Sequence, residues 1–218
     1  MGKDAVFEKR SGALAVGLTK ALEGRHFEVY YCATGEEAKE KALELIPPGS
    51  SVSWGGSMTL AGIGLLDAVR GGDYTVLDRD TVSGEALEKL FRDVFSCDVY
   101  LTSFNAMSED GQLVNIDGRG NRVAAVTFGP KTVIAVVGMN KVCKTLDDAI
   151  ARARNTAAPL NTHRLSPKDA PMGTPCAATG SCGDCKSPAS ICSYISVTRL
   201  CKPAGRIKVI LVGEPLGY

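Results

Sequence analysis

Two continuous apolar runs constrain the fold of this chain more than any other feature: CDVYLTS at residues 97–103 and KTVIAVVG at residues 131–138. A strand with one solvated face alternates apolar and polar residues, whereas unbroken apolar runs are typical of parallel strands that helices cover on both faces. Strand character returns in RIKVILVG at residues 206–213. The first two runs are therefore predicted to be central strands of a parallel sheet.

Helical and strand-like segments alternate over about the first 160 residues, which is the order of an α/β fold. A helical pattern with leucines at i, i+4 spacing covers residues 4–22, and a last helix is predicted at residues 146–157. Residues 112–117 and 122–128 have strand character and are separated by Asp-Gly and Gly-Asn turns, so they predict an inserted antiparallel hairpin. We expect a three-layer α/β fold with a mostly parallel sheet and this hairpin.

The composition indicates an ordinary globular protein with little net charge. Of its 218 residues, 44% are hydrophobic. It contains 25 Lys+Arg and 24 Asp+Glu, which gives a formal net charge of +1. This balance argues against a nucleic-acid or membrane-surface binder driven by electrostatics. No apolar stretch approaches the roughly 18 residues of a membrane span, and the first residues are charged. We expect no membrane insertion and a cytoplasmic location.

The composition changes after residue 160, and this change suggests the domain organisation. Residues 1–165 are predicted to form the α/β core, and residues 166–203, rich in Pro, Gly, Ser and Cys, a cysteine-rich metal-binding loop. Residues 204–218 are predicted to return to the core as a C-terminal strand.

The cysteine-rich segment carries the strongest chemical signal. Its four clustered thiols are separated by five, two and six residues: Cys176, Cys182, Cys185 and Cys192. A CxxC pair can place two thiolates on one metal, and two outer cysteines complete a tetrahedral sulfur set. Four thiolates suit a [4Fe–4S] cluster or Zn²⁺, and the spacing does not separate the two. Redox-active or buried thiols without a metal are the third interpretation.

The other cysteines have a less specific pattern. Cys32, Cys97 and Cys143 lie in or beside apolar strand-like segments, which predicts that they pack in the core. Eight residues separate Cys201 from Cys192, the last cysteine of the cluster. The sequence leaves open whether Cys201 is a spare ligand, a resolving thiol or a core residue.

A second candidate site is the glycine-rich turn in VSWGGSMTLAGIG at residues 52–64. Gly55, Gly56 and Ser57 connect a predicted strand to a predicted helix, where free N–H groups favour an anion such as phosphate or carboxylate. Ser57 and Thr59 can add hydroxyl donors. At the carboxyl end of an early parallel strand, this turn lies where open α/β sheets bind ligands. The alternative is a tight turn in which Ser57 only caps the helix.

A third candidate site is the polar stretch at residues 102–125, which follows a predicted buried strand. Asn105, Glu109 and Asn121 are the candidates for ligand contact there. Glu109 beside a bound substrate could act as a base or nucleophile. The alternative is that the Asp-Gly pairs mark ordinary hairpin turns, which would explain about half of the polar residues.

Several of these motifs together resemble the lactate-utilisation (LUD) domain family, over nearly the whole chain. They are VSWGGSMTL, the NxxxxEDGxLVNIDGxGNRVAA stretch, NxxRL and TPC…TGxCxDCxSPxxIC, followed by VILVGEPLGY. The similarity is to short, stand-alone members with a C-terminal cysteine cluster. It implies a fold like that of ribose-phosphate isomerase, glucosamine-phosphate deaminase and the CoA transferases. Some family members belong to an iron–sulfur system that oxidises lactate to pyruvate.

The resemblance also implies roles for two segments. In phosphate-binding relatives of this fold, a glycine-rich turn holds the phosphate, which matches Gly55, Gly56, Ser57 and Thr59. The segment 108–111 looks like the SENG segment that holds the glutamate nucleophile of CoA transferases, with Asp in place of Asn.

Three functional hypotheses follow. The first is a protein of organic-acid (lactate-type) utilisation that binds an anionic small molecule and carries a cysteine-bound iron–sulfur or zinc centre. The second is a non-enzymatic electron-transfer or assembly subunit that works with a redox partner protein. The third is a CoA-transferase-like enzyme that uses Glu109 and has a structural zinc clasp. The sequence leaves open whether the protein is an enzyme and whether it forms a homo-oligomer.

Overall fold

Helices and strands alternate along residues 3–218, which the computed structural model describes. The first part contains α1 (Lys3–Glu23), β1 (Glu28–Cys32), α2 (Gly35–Glu44), β2 (Ser51–Trp54), α3 (Met58–Gly62), α4 (Leu65–Arg70), β3 (Thr75–Leu77), α5 (Gly84–Asp93) and β4 (Val99–Thr102). The second contains β5 (Ala106–Ser108), β6 (Leu113–Asp117), α6 (Asn121–Thr127), β7 (Thr132–Gly138), β8 (Val142–Cys143), α7 (Leu146–Arg152), α8 (Ala158–Leu165), α9 (Pro175–Thr179), β9 (Tyr194–Thr198) and β10 (Ile207–Val212).

A six-stranded parallel sheet forms the middle layer, in the order β1-β10-β7-β4-β2-β3. The two unbroken apolar runs became β4 and β7, which are adjacent in the centre of the sheet. Val133 through Val137 are fully buried because helices cover both faces of these strands. The predicted three-layer α/β class with a mostly parallel sheet is therefore confirmed.

Each face of the sheet packs against its own hydrophobic core. On one face α1 contributes Leu18 and Leu22, which are 1% and 0% exposed, to a core that also contains Val209 of β10. On the other face α2, α3 and α4 pack over Val52 and Ile210. Because β2, β4, β7 and β10 run parallel, their carboxyl ends lie at one edge of the sheet.

A second sheet of four strands, in the order β8-β5-β6-β9, lies beside the first. It contains an inserted antiparallel hairpin, but its strands are β5 and β6. The prediction that residues 122–128 form a strand is wrong, because residues 122–127 belong to α6 and Phe128 ends it. The carboxylate of Asp117 accepts hydrogen bonds from the backbone N–H groups of Arg122 and Val123, at 2.9 and 3.1 Å, and so caps the start of this helix.

The segment predicted as a cysteine-rich loop also contains regular structure. It includes α9 and β9, and β9 pairs antiparallel with β6 at the edge of the second sheet. The helix predicted at residues 146–157 continues to Leu165, through a π-helical turn at Ala153–Ala157. Pro159 follows this turn and has no N–H to donate, which explains the local widening of the helix. Along residues 3–218, each helix is too short or too polar to cross a lipid bilayer.

Candidate functional site

A cavity of about 450 Å³ opens at the carboxyl ends of β2 and β4. Its walls come from the turns after β2, β4 and β7, from β6 and α6, and from α8 on the far side. This is the edge of a parallel sheet where ligands usually bind in open α/β folds. Its lining includes two glycines, Gly55 and Gly56, and the polar residues Ser57, Thr59, Ser103, Asn105, Asn121, Arg122, Lys141, Asn161 and Arg164.

Six residues proposed from the sequence meet in this cavity although they come from distant segments. They are Gly55, Gly56, Ser57, Thr59, Asn105 and Asn121. The turn is closely packed at Gly55, because a Cβ there would stand 3.1 Å from both the Tyr100 hydroxyl and the Arg122 side chain. Ser57 does cap α3, by accepting a hydrogen bond from the Leu60 N–H at 3.4 Å. The binding role of the six residues stays a prediction.

Glu109, the proposed catalytic residue, lies outside this cavity. It is absent from the cavity lining, and its carboxylate forms a salt bridge of 2.6 Å with Lys144 beside the second sheet. The Glu109 backbone N–H donates to the carbonyl of Cys143 at 2.9 Å, which fixes it next to β8. A catalytic role for Glu109 in this cavity would require its side chain to leave that partner.

Lys141 is the most unusual residue of the cavity. It is 3% exposed, and its Nζ lies 2.9 Å from Thr59 Oγ1 and 3.0 Å from Ser103 Oγ. Within residues 3–218 it forms no salt bridge. Burial, with smaller contributions from the positive charges of Arg152 and Arg122, lowers the pKa of Lys141 to about 7.

The sequence reasoning did not identify Lys141. The available signal was a lysine three residues after an apolar central strand, at the edge where ligands bind. A lysine near a strand end is usually solvated, so this signal becomes informative only when the burial of the amine is known.

Arg122 connects the cavity to the second sheet. Its guanidinium donates to the side chain of Asn115 and the carbonyl of Ile116, and to Asn105 Oδ1 at 3.3 Å. Asn105 Oδ1 also accepts from the Ile116 N–H at 2.9 Å, so Asn105 ties the two hairpin strands together. All these acceptors are neutral, and Arg122 makes no salt bridge to any residue from 3 to 218.

The balance of charge in the cavity is positive. Arg164 of α8 is exposed, bonds Asn161 Oδ1 at 2.9 Å, and lies over Gly56. Arg79 and Arg119 also line the cavity, but they pair with acidic neighbours. The two acidic residues of the lining are already engaged, since Asp80 pairs with arginines and Asp117 caps α6. Among described residues, Lys141, Arg122 and Arg164 are thus left without a carboxylate partner.

The four clustered cysteines lie in one region next to α8. The Sγ atom of Cys176 is 3.4 Å from Thr174 Oγ1 and 3.6 Å from Thr162 Oγ1. Burial and the nearby thiols of Cys176, Cys182 and Cys185 raise the pKa of Cys192 to about 11. Over residues 3–218, however, no three His, Cys, Asp or Glu side chains converge closely enough to hold a metal ion. The donor set fits a thiolate-bound metal in its chemistry, whereas the sulfurs would have to move closer together to coordinate one.

The remaining cysteines are structural. Cys32, Cys97 and Cys201 are buried, and Cys143 is half-buried against the core of the second sheet. Cys201 is 1% exposed and its sulfur accepts from the Ile207 N–H at 3.3 Å, so it lies in the core that also contains Leu18 and Leu22. All eight cysteines of the chain are free thiols in this structure.

A parallel α/β sheet with a cationic cavity at its carboxyl edge defines the general class of this protein. The sequence model of the LUD domain matches residues 17–212, and the chain belongs to the LUD domain family. A crystal structure of a DUF162 family protein from Deinococcus radiodurans is similar with a TM-score of 0.54 and 11% identity, over 93% of this chain and 98% of that chain. This likeness shows the shared fold.

Two further solved structures match about half of the chain. Ribose 5 phosphate isomerase A from Neisseria gonorrhoeae is 19% identical over 51% of this chain and 54% of that chain, with a TM-score of 0.36. The eIF2B delta protein from Chaetomium thermophilum is 21% identical over 54% of this chain and 50% of that chain, also with a TM-score of 0.36. The comparison with curated proteins gave no match.

Proposed function

We propose that this LUD-domain protein binds a small organic anion of the lactate type in the cavity at the carboxyl edge of the sheet. The observation that carries the proposal is Lys141, a buried amine that lacks an acidic partner within residues 3–218. An isolated buried ammonium is costly, and a bound carboxylate would offset that cost. The LUD family membership suggests organic acids as the class of ligand.

The remaining cations support the same conclusion. Arg122 and Arg164 line the cavity with Lys141, and in the described chain none of the three has a carboxylate partner. Guanidinium groups bind carboxylates and phosphates through paired N–H donors. The volume of about 450 Å³ lies within the usual range for small-molecule sites. A ligand there would also contact Gly56 and Asn121.

The proposal predicts that Arg164→Gln weakens the binding of lactate or pyruvate by about tenfold, because one charge-assisted contact of about 1.4 kcal/mol is lost. Arg164 is exposed, so the change should leave the fold intact. Titration calorimetry on the wild type and the variant measures the effect. Arg10→Gln, an exposed arginine on α1, is the matched control and should bind like the wild type.

A neutral analogue of lactate tests whether the ligand must carry a negative charge. Lactamide has the shape of lactate without its negative charge, so the proposal expects it to bind far more weakly. Equal binding of lactate and lactamide, or no heat with lactate, pyruvate or inorganic phosphate, would contradict the proposal.

As a second function we propose that Cys176, Cys182, Cys185 and Cys192 hold a [4Fe–4S] cluster or Zn²⁺. Its support is that these four thiols lie close enough for three of them to raise the pKa of the fourth. A cluster would supply electron transfer to a redox partner protein in the cytoplasm, whereas zinc would stabilise the segment.

Metal analysis separates these outcomes. After anaerobic purification we expect iron with sulfide and a broad visible absorption, or one zinc per chain without colour. Cys182→Ser should lower the metal content, while Cys201→Ser, which changes a buried core thiol, should not. A wild type that contains neither metal would contradict this second proposal.

A further inference from the structure

We propose that Lys141 is a catalytic lysine that forms an imine with the carbonyl carbon of a 2-oxo acid held in the cavity. The inference rests on the proposed function, because it requires that the cavity bind the carboxylate of the same molecule. It adds a covalent step and restricts the ligand to organic acids that carry a carbonyl group.

The geometry of the amine is the first argument. Lys141 follows β7, the Nζ atom is buried, and it lies at the wall of the cavity between two hydroxyl groups. A neutral amine has two N–H donors and one lone pair. When both N–H groups donate to Thr59 and Ser103, the lone pair is free to attack a ligand in the cavity.

The surroundings of Lys141 favour the neutral, nucleophilic form. The charged groups that affect its pKa are Arg152 of α7 and Arg122 of α6, and both are positive. Arg152 is held in place by hydrogen bonds to the carbonyls of Asn105 and Asn140, at 2.6 and 3.2 Å. Desolvation and neighbouring cations are the two means by which proteins activate lysine as a nucleophile toward carbonyl groups.

The cations of the cavity indicate the class of substrate. Arg164, whose terminal N–H groups are free within residues 3–218, is available to bind a carboxylate, Arg122 adds a positive charge at the cavity wall, and Lys141 supplies the amine. In a 2-oxo acid the carbonyl carbon is bonded directly to the carboxylate carbon, so a small molecule can meet both requirements at once. A 2-hydroxy acid such as lactate can bind through its carboxylate but has no ketone carbon with which an amine can form an imine.

The step balances without a further reactant. The Nζ lone pair forms a C–N bond to the carbonyl carbon, and the carbonyl oxygen leaves as water with the two amine protons. The hydroxyls of Thr59 and Ser103 are within hydrogen-bond distance of Nζ and can relay these protons. No oxidant or reductant takes part.

The test is to treat the wild-type protein with pyruvate and borohydride, which traps an imine, and then to locate the adduct by peptide mass mapping. Reduction of the imine leaves an adduct whose added mass is that of pyruvic acid less one oxygen atom. We expect this adduct on Lys141, and we expect its yield to rise as the pH increases through about 7, where the amine becomes neutral. Lactate should give no adduct.

Two lysine variants and a binding measurement make the outcome decisive. Lys141→Arg keeps a positive charge but should lose the adduct, whereas Lys144→Arg, at the exposed partner of Glu109, should retain it. Pyruvate that binds by calorimetry without an adduct on Lys141 would overturn the inference and leave the proposed function intact. Labelling spread evenly over exposed lysines would also overturn it, and a lack of any pyruvate binding would overturn both.

Discussion

Lys141→Met is expected to remove a large pH dependence of stability from this protein. The folded-state pKa of Lys141 is about 7, below its ordinary value of 10.5. Between these values the unfolded chain holds one more proton at this site than the folded chain. The free energy of unfolding of the wild type therefore rises relative to the variant by about 1.4 kcal/mol per pH unit, or about 4 kcal/mol between about pH 7 and pH 10.

The direction of the effect follows from the burial of the charge. Below the folded-state pKa both states are protonated, and the wild type carries the full cost of burying an ammonium ion. Above the unfolded-state pKa both are neutral and the cost is gone. Urea unfolding of both proteins across this pH range measures the difference. Parallel stability curves would contradict the account, and Lys144→Met, an exposed lysine, should give a curve parallel to that of the wild type.

Arg122→Leu is expected to lower the free energy of unfolding by roughly 3 kcal/mol, because at least two buried acceptors lose their donor. These acceptors are the side chain of Asn115, a residue that is 1% exposed, and the carbonyl of buried Ile116. Leucine retains most of the apolar stem of the arginine, so the lost hydrogen bonds dominate. Urea denaturation at neutral pH measures the change.

Arg119→Leu is the matched control for this prediction. Arg119 lies three residues before Arg122, but its side chain is 63% exposed and its partner Glu88 is 54% exposed. Exposed ion pairs contribute about 0–1 kcal/mol, so this variant should differ little from the wild type. If both variants lost equal stability, Arg122 would not be the residue that joins α6 to the second sheet.

The central sheet could be predicted because its signal is local. Strands β4 and β7 are unbroken apolar runs, and such runs have few stable positions other than the middle of a parallel sheet. The helix α6 could not be predicted in the same way. Its sequence, NRVAAVT, contains β-branched residues, and its helical state depends on the capping carboxylate of Asp117.

The candidate site likewise has one part that the sequence predicts and one part that it does not. The turn at Gly55, Gly56 and Ser57 is encoded in three consecutive residues, so the sequence was sufficient to propose it. Arg122 lies in α6 and Lys141 follows β7, and their lack of acidic partners within residues 3–218 is a property of the folded chain. The excess of positive charge in the cavity could therefore be recognised only from the structure.

A crystal structure of the protein with pyruvate at saturating concentration tests the central claim most directly, because it shows where the anion binds. We predict electron density in the cavity at the carboxyl edge of the sheet, with the carboxylate in contact with Arg122 or Arg164 and the remainder of the molecule next to Lys141. Pyruvate bound only at another surface, or an empty cavity in crystals that contain pyruvate, would contradict the account.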